Sequence, residues 1–173
     1  MREPGSGEGG IAADLPYRRG VGALVFNDCG LVLVGRRIDT PIEAWQLPQG
    51  GIKKHELPEA AVWRELREEI GTDKAVIVGR TAGWLTYDLP PDLVPRVWGG
   101  RFRGQQQVWF ALRFTGEDAD IDLAADGHPE FDAWRWAPLA DLPRLAIAFK
   151  RQLYEQLVAE FSPVAAAAGE TLT

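Results

Sequence analysis

Residues 49–72, QGGIKKHELPEAAVWRELREEIGT, constrain this chain more than any other stretch. Two glycines open it, Pro58 marks the first turn of a helix, and Gly71 stops that helix after about Ile70. At about 100° per residue, Val62, Trp63, Leu66 and Ile70 share one arc, which should face a core. Glu65, Glu68 and Glu69 fall together on the next arc, with Arg64 at its far edge and Arg67 toward solvent. Like charges at helical spacing repel, so three acids beside a buried face need a reason. A hard divalent cation is one: Mg²⁺ takes carboxylate oxygens and keeps waters and substrate phosphates in its other positions. A solvated acidic face with an Arg64–Glu68 pair is the other, and the helix by itself weighs the two evenly.

The rest of the chain reads as strands around that helix. GVGALVF (20–26) and LVLVGRR (31–37) are strands joined by the turn NDCG (27–30). AWQLPQGG (44–51) is extended and then broken by Pro48 and the glycines. KAVIVGRTAGWLTYDL (74–89) alternates as one strand, residues 90–104 form a loop, QQQVWFALRFTG (105–116) is a strand, and EFDAWRWAPL (130–139) is a strand running into a turn. A last helix spans Leu142 to Phe161, with a break possible after Pro143. Many strands and two helices predict a mixed sheet flanked by helices, an α/β or α+β sandwich. Residues 1–14, Gly-rich and acidic, are expected to be a disordered arm, residues 15–161 one domain, and residues 162–173 a tail with few large apolar groups to dock.

Composition narrows the function. With 19 basic against 25 acidic residues, a net charge of −6 argues against a non-specific nucleic-acid coat. A local basic patch can still serve one nucleotide or chain end, and residues 94–113 carry four arginines and no acid. Cys29 is the single cysteine, so no internal disulfide and no CxxC metal site exists; it sits in a turn and carries no assigned role. His55 and His128 stand alone, without a metal-type pair. Most of the tryptophans read as core, with Trp134 and Trp136 on one strand face. No signal peptide or bilayer-length apolar run is apparent, which makes the cytoplasm the expected compartment.

The wider spacing decides between the two readings of the acidic arc. Gly50, Glu56, Arg64, Glu65, Leu66, Glu68, Glu69 and Gly71 fit G-x5-E-x7-R-E-aliphatic-x-E-E-x-G, and the whole resembles the Nudix box of the hydrolases of nucleoside diphosphates linked to another moiety. Thr72 departs from the pattern, which has an aliphatic there; that position packs rather than reacts. The resemblance implies a Nudix-type α/β/α sandwich with a mixed sheet and a loop-helix-loop metal site. There Glu69 and Glu65, then Glu68, would hold Mg²⁺ or Mn²⁺ against a pyrophosphate, with Glu65 or Glu68 as possible base. Glu56 and Arg64 would pair to fix the loop on the helix, and Gly50 and Gly51 would let the backbone turn tightly beside the metal.

Further segments narrow the branch. YRRGVGALVFN, RRIDTPIEAWQLPQGGI, RGQQQVWFALRF, PEFDAWRW and AFKRQLYEQLVAEF resemble the RNA pyrophosphohydrolase and dinucleoside polyphosphate hydrolase branch, from about Tyr17 to Phe161. That implies removal of pyrophosphate from 5′-triphosphate RNA, a step of mRNA decay, or cleavage of dinucleoside polyphosphates. It implies Glu130 as a further metal ligand, against the plainer reading of a strand-edge acid. Arg18 and Arg37 would lie near the 5′ phosphates and first base, and Phe149 and Lys150, on the last helix, would line the base pocket. For Phe149, core packing is an equal reading from spacing. Arg36, Lys53, Lys54, Arg96, Arg101 and Arg103 could reach phosphates, although most read as solvated charges. An ADP-ribose or nucleotide-sugar hydrolase is the rival enzymatic reading. A Nudix-fold binding module without catalysis is the rival from another class, disfavoured because all the box acids are present.

Overall fold

A computed structural model of the chain describes residues 12–170. Its centre is a pair of long strands, β1 (Tyr17–Phe26) and β7 (Gly104–Phe114), which run parallel in register from Tyr17↔Gly104 to Phe26↔Arg113. Around them lie β2 (Val32–Arg37), β3 (Trp45–Gln46), β4 (Gln49–Gly51), β5 (Ala75–Arg80), β6 (Leu85–Asp88) and β8 (Phe131–Ala137), giving one eight-stranded mixed sheet. β4 pairs antiparallel with the opening of β1, while β5 and β6 pair antiparallel with opposite ends of β7. Strand β2 pairs antiparallel with β1, β3 and β8.

Alternation along β1 explains the layers. Val21, Ala23 and Val25 point to one face and pack, with Val108, Phe110 and Leu112 of β7, against Ala61, Val62, Leu66 and Ile70 of helix α1 (Pro58–Ile70). Leu24 and Phe26 point to the other face and pack, with Trp109, against Leu153, Tyr154, Leu157 and Phe161 of the last helix, α3 (Arg151–Glu170). Each helix therefore covers one face, which is the α/β/α sandwich expected. Two glycines make room at the centre. A Cβ on Gly22 would lie 2.2 Å from the buried Trp109 ring, and one on Gly35 would lie 2.4 Å from the Phe131 ring.

Several local expectations change. Residues 74–89 form two strands, because Thr81 turns its hydroxyl to the Trp109 amide and the chain bends through residues 81–84 before β6. The 90–104 loop contains two short 3₁₀ turns, Val94–Arg96 and Trp98–Gly100. Trp63 is only half-buried on the rim of the α1 face. The final helical region begins as α2 (Leu142–Leu145), extends through Ala146 and Ile147, and re-forms as a 3₁₀ turn at Ala148–Lys150 before α3. The expected tail also differs: α3 continues through Pro163 to Glu170, and Val164 and Ala165 pack on the core beside the β1–β2 turn. At that turn Gly30 adopts φ 75°, where a Cβ would lie 2.4 Å from the Ala165 carbonyl oxygen. Of the expected N-terminal arm, residues 1–11 lie outside the described residues. Ala12 and Ala13 are helical, and Ala12 packs on the core. Among the described residues no helix is long and apolar enough to cross a membrane.

Candidate active site

Helix α1 starts without a side-chain cap at Leu57, uses Pro58 at its first position, and ends at Gly71 with φ 72°, the left-handed conformation glycine accepts without penalty. Its apolar arc holds it on the sheet. That packing turns Glu65 and Glu69 inward, where both are buried, and leaves Glu68 at the edge with a side chain 38% exposed. The strand β4 passes directly over them. A Cβ on Gly50 would fall 2.0 Å from the Glu65 carboxyl carbon, so the bare glycine backbone is what admits this carboxylate. The Gln49 amide donates to Glu69 Oε2 at 2.9 Å, while Glu69 Oε1 is buried without a partner.

Arg64 ties the loop to the helix. It donates to Glu56 through Nε and Nη2, both at 2.8 Å, and to the Gly51 carbonyl at 2.8 Å. Its Nη1 reaches Glu65 at 2.7 Å and Glu68 at 3.4 Å. This bidentate pairing pulls the Glu56 carboxyl down to about 2. The buried acids move the other way. Burial, opposed by Arg64, raises Glu65, and Glu68 and Glu130 add like charge. Burial raises Glu69 well above the ordinary range, and the neighbouring Glu130 carboxylate raises it further. Glu130 is exposed, one residue before β8, and its backbone carbonyl accepts the Ile38 amide.

Glu65, Glu68 and Glu130 open onto one pocket of about 690 Å³, with Gly50 and Gly51 between them. Arg18, Arg37, Phe149 and Lys150 line the same pocket, so it gathers the expected substrate-binding residues with these three acids; Glu69 lies just behind, on the Gln49 amide. Their settings differ. Arg37 forms a fork onto Asp39 at 2.9 and 2.8 Å and reaches Gln46 Oε1 at 3.3 Å. Lys150 is buried and donates to Gln46 Oε1 at 3.0 Å; burial and then the Arg37 charge pull its ammonium down to about 7. Phe149 is half-buried on Tyr87, with ring centroids 5.9 Å apart, and so combines core packing with a face on the pocket. It and Lys150 belong to the 3₁₀ turn before α3 rather than to the helix itself.

The basic patch dissolves into separate roles. Arg96 lines the pocket, whereas Arg103 is paired with Asp88 and stacked on Tyr17, and Arg101 lies exposed over Phe102. Arg36 is paired with Asp132, and Lys53 and Lys54 are exposed away from the pocket lining. Cys29 is exposed in its turn.

Some residues of the site carry no acid or base signal in the sequence. Gln107 donates to Gln49 at 2.6 Å and to Gln105 at 2.7 Å, and Tyr87 donates to Gln105 at 3.2 Å. Gln49, Tyr87 and Gln105 of this amide ladder line the pocket, with Gln107 buried behind them, and the Q-x-Q spacing on β7 is its legible trace in the sequence. Trp98, also on the pocket wall, adopts φ 48°, a costly conformation for a bulky residue.

The donor set fits a divalent cation. Glu65, Glu68 and Glu130 face one pocket with Glu69 behind them, two of the four are buried, and Glu69 Oε1 has no hydrogen-bond partner. Among the described residues the acids are not closed into a tight ligand cluster, since Arg64 sits between Glu65 and Glu68. A cation would relieve the repulsion that raises Glu65 and Glu69.

A sandwich that carries a glycine-loop-helix carboxylate site beside a cationic pocket defines a hydrolase of phosphate anhydrides. The NUDIX domain model matches residues 16–157, and the chain belongs to the Nudix family, whose members generally use divalent cations. The chain is 61% identical over 151 residues to the RNA pyrophosphohydrolase of Rhodospirillum rubrum, covering 87% of this chain and 90% of that protein. It is 58% identical to the RNA pyrophosphohydrolase of Gluconacetobacter diazotrophicus, covering 87% and 95%. In fold it is similar to the E. coli dihydroneopterin triphosphate pyrophosphohydrolase, with a TM-score of 0.65 at 22% identity over 84% of this chain and 99% of that one. It is also similar to a C. elegans Ap4A hydrolase binary complex, with a TM-score of 0.61 at 18% identity over 84% and 98%.

Proposed function

We propose that this protein is a pyrophosphohydrolase that removes pyrophosphate from 5′-triphosphate RNA and leaves a 5′-monophosphate end. Dinucleoside polyphosphates, which also present a nucleoside on a phosphate chain, are the second substrate class of the same site. The observation that carries this reading is one pocket whose lining brings the carboxylates of Glu65, Glu68 and Glu130 together with Arg18, Arg37 and Phe149. The identity to two RNA pyrophosphohydrolases across nearly their whole length supports it.

Glu65, Glu68, Glu69 and Glu130 would hold Mg²⁺ or Mn²⁺, which supplies charge neutralisation at phosphate oxygens and a more acidic water. The protein's own groups do the rest. Arg18 and Arg37 neutralise phosphate, and the Phe149 ring offers a face for a base, a contact worth about 1–3 kcal/mol. Glu65 is the proton acceptor for the attacking water: its carboxylate opens onto the pocket directly beside Gly50. The water oxygen bonds to phosphorus, its proton passes to Glu65, and the bridging P–O bond breaks. Glu56 and Arg64 keep β4 on the helix throughout. The cytoplasm is the compartment this reading implies.

The test is a product assay. The protein is incubated with Mg²⁺ or Mn²⁺ and 5′-triphosphate RNA, diadenosine tetraphosphate or ADP-ribose, and products are identified by mass. Pyrophosphate and 5′-monophosphate RNA are expected. Turnover of ADP-ribose alone would overturn the substrate assignment, and no turnover of any of the three would point to a binding module.

A further inference from the structure

Two arginines of the pocket lining, Arg18 and Arg96, carry no ion pair among the described residues, and of the two only Arg18 is half-buried. Arg37 has its fork on Asp39, Arg64 on Glu56, and Arg103 on Asp88. Among the described residues no hydrogen bond or ion pair holds Arg18, although it is half-buried in the pocket wall. What holds it is packing. Its guanidinium carbon lies 5.2 Å from the centroid of the Trp98 ring. It also presses on bare backbone, since a Cβ on Gly51 would fall 2.1 Å from Arg18 Nη2. A guanidinium held by an aromatic face and bare backbone, with no carboxylate bound to it, keeps N–H groups for a ligand.

Trp98 is placed there at a cost. Trp98, Gly99 and Gly100 have φ of 48°, 67° and 73°, a left-handed run that glycine adopts freely and tryptophan does not. The two glycines reverse the chain. Their predecessor is forced into the same region, yet it carries the largest side chain available. Phe102 braces the ring edge-on at 6.3 Å, and Arg18 covers its face. A residue kept in a disfavoured conformation at a binding pocket is where a fold stores a functional constraint.

We propose that Trp98 is a positioning residue that holds the Arg18 guanidinium against Gly51 as a preformed fork for the substrate's phosphate chain. The inference rests on the reading that Arg18 contacts phosphate. An arginine fork that is already oriented loses little freedom on binding, so the device acts on affinity for the phosphates that both substrate classes share. Without the ring, Arg18 keeps only the Gly51 backbone beside it, and the substrate must supply the rest of its ordering.

Four variants test this in steady-state kinetics with 5′-triphosphate RNA and, in parallel, diadenosine tetraphosphate. W98G removes the ring and the backbone penalty together, so its Tm should match or exceed that of the wild type. Its KM should rise about tenfold on both substrates, more than its kcat falls. R18A should raise KM by at least as much, and the R18A/W98G double variant should be no worse than R18A alone. W98F, which restores an aromatic face, should recover most of the affinity. If R18A leaves KM unchanged, the phosphate reading of Arg18 fails. If R18A raises KM while W98G does not, or if the two effects multiply in the double variant, the phosphate reading stands and the role of Trp98 is overturned. A rise confined to one substrate would also overturn it, because a phosphate fork serves both.

Discussion

Gly50→Ala separates the geometry of the site from the stability of the fold. The added Cβ would lie 2.0 Å from the Glu65 carboxyl carbon and 2.2 and 2.3 Å from its oxygens. Ordinary contact begins near 3.4 Å, so the carboxylate must retreat by about 1.4 Å. The atom in the way is the far end of a flexible side chain, and Gly50 is not among the glycines with positive φ, so the backbone accepts alanine. The loss of a well-placed Glu65–Arg64 contact at 2.7 Å is partly offset by the reduced freedom of the unfolded chain, about 0.4–1 kcal/mol for Gly→Ala. The expected change in stability is therefore within about 1 kcal/mol, a shift of a few degrees in Tm. The catalytic effect is much larger, because a displacement of about 1 Å at a reacting group costs about 100-fold in rate. The assay pairs kcat on 5′-triphosphate RNA with Tm by calorimetry. A G50A enzyme that keeps kcat within about threefold would refute the claim that Glu65 acts from the position β4 gives it. A large fall in Tm would refute the claim that the side chain alone gives way.

Three further outcomes follow from the same distances. Glu69→Gln should keep the fold and lose most turnover, since an amide is a poorer ligand for a hard cation; without divalent cations its Tm should rise, because a buried carboxylate crowded by Glu130 and Glu65 is removed, and an unchanged or lower Tm would count against that crowding. Gly22→Ala should destabilise the fold by about 1–3 kcal/mol in denaturant titration, because its Cβ meets the fully buried Trp109 ring at 2.2 Å and a central ring cannot step aside; a neutral result would refute the packing account. Glu56, held at about 2 by Arg64, contributes stability that is complete above the ordinary carboxylate pKa and is lost as pH falls toward 2, so the Tm gap between wild type and E56Q should be open at pH 6 and close between about pH 4.5 and 2; a gap independent of pH would show that the pair adds nothing electrostatic.

How much of this was legible in the sequence follows from how each feature is encoded. The α1 site was legible because helical period and box spacing are local: the wheel alone places Glu65 and Glu69 beside Leu66 and Ile70. The break between β5 and β6 was not, because Thr81 stops the strand through a contact to Trp109, 28 residues away. The continuation of α3 past Pro163 was hidden for a related reason. Its alanines carry little apolar area, and they dock because Gly30, in a turn far up the chain, leaves space for them. The basic patch misled in the opposite way. Charge counts cannot show that Arg103 is spent on Asp88, nor that Arg18, outside the patch, lies half-buried in the pocket wall on Trp98.

The acidic arc and the arginine wall express one electrostatic arrangement. Arg64 pairs with Glu56 and Glu65 on the loop side, while the buried Glu65 and Glu69 face Glu130 on the pocket side, where burial makes the two buried charges costlier. Arg18 and Arg37 line the same pocket but make no ion pair with these acids; Arg37 is turned to Asp39 and Arg18 to Trp98. Had either closed onto Glu65 or Glu130, the site would be a satisfied salt bridge and would bind neither cation nor phosphate. Keeping the two signs apart costs stability, and Asp39, Gln46 and the left-handed Trp98 are the groups that hold them apart. Substituting Asp39 with alanine should free Arg37 toward the acids, raise the fold's stability in the absence of divalent cations, and raise the cation concentration needed for half-maximal turnover. An unchanged cation requirement in D39A would show that the separation is set by the backbone and not by these side chains.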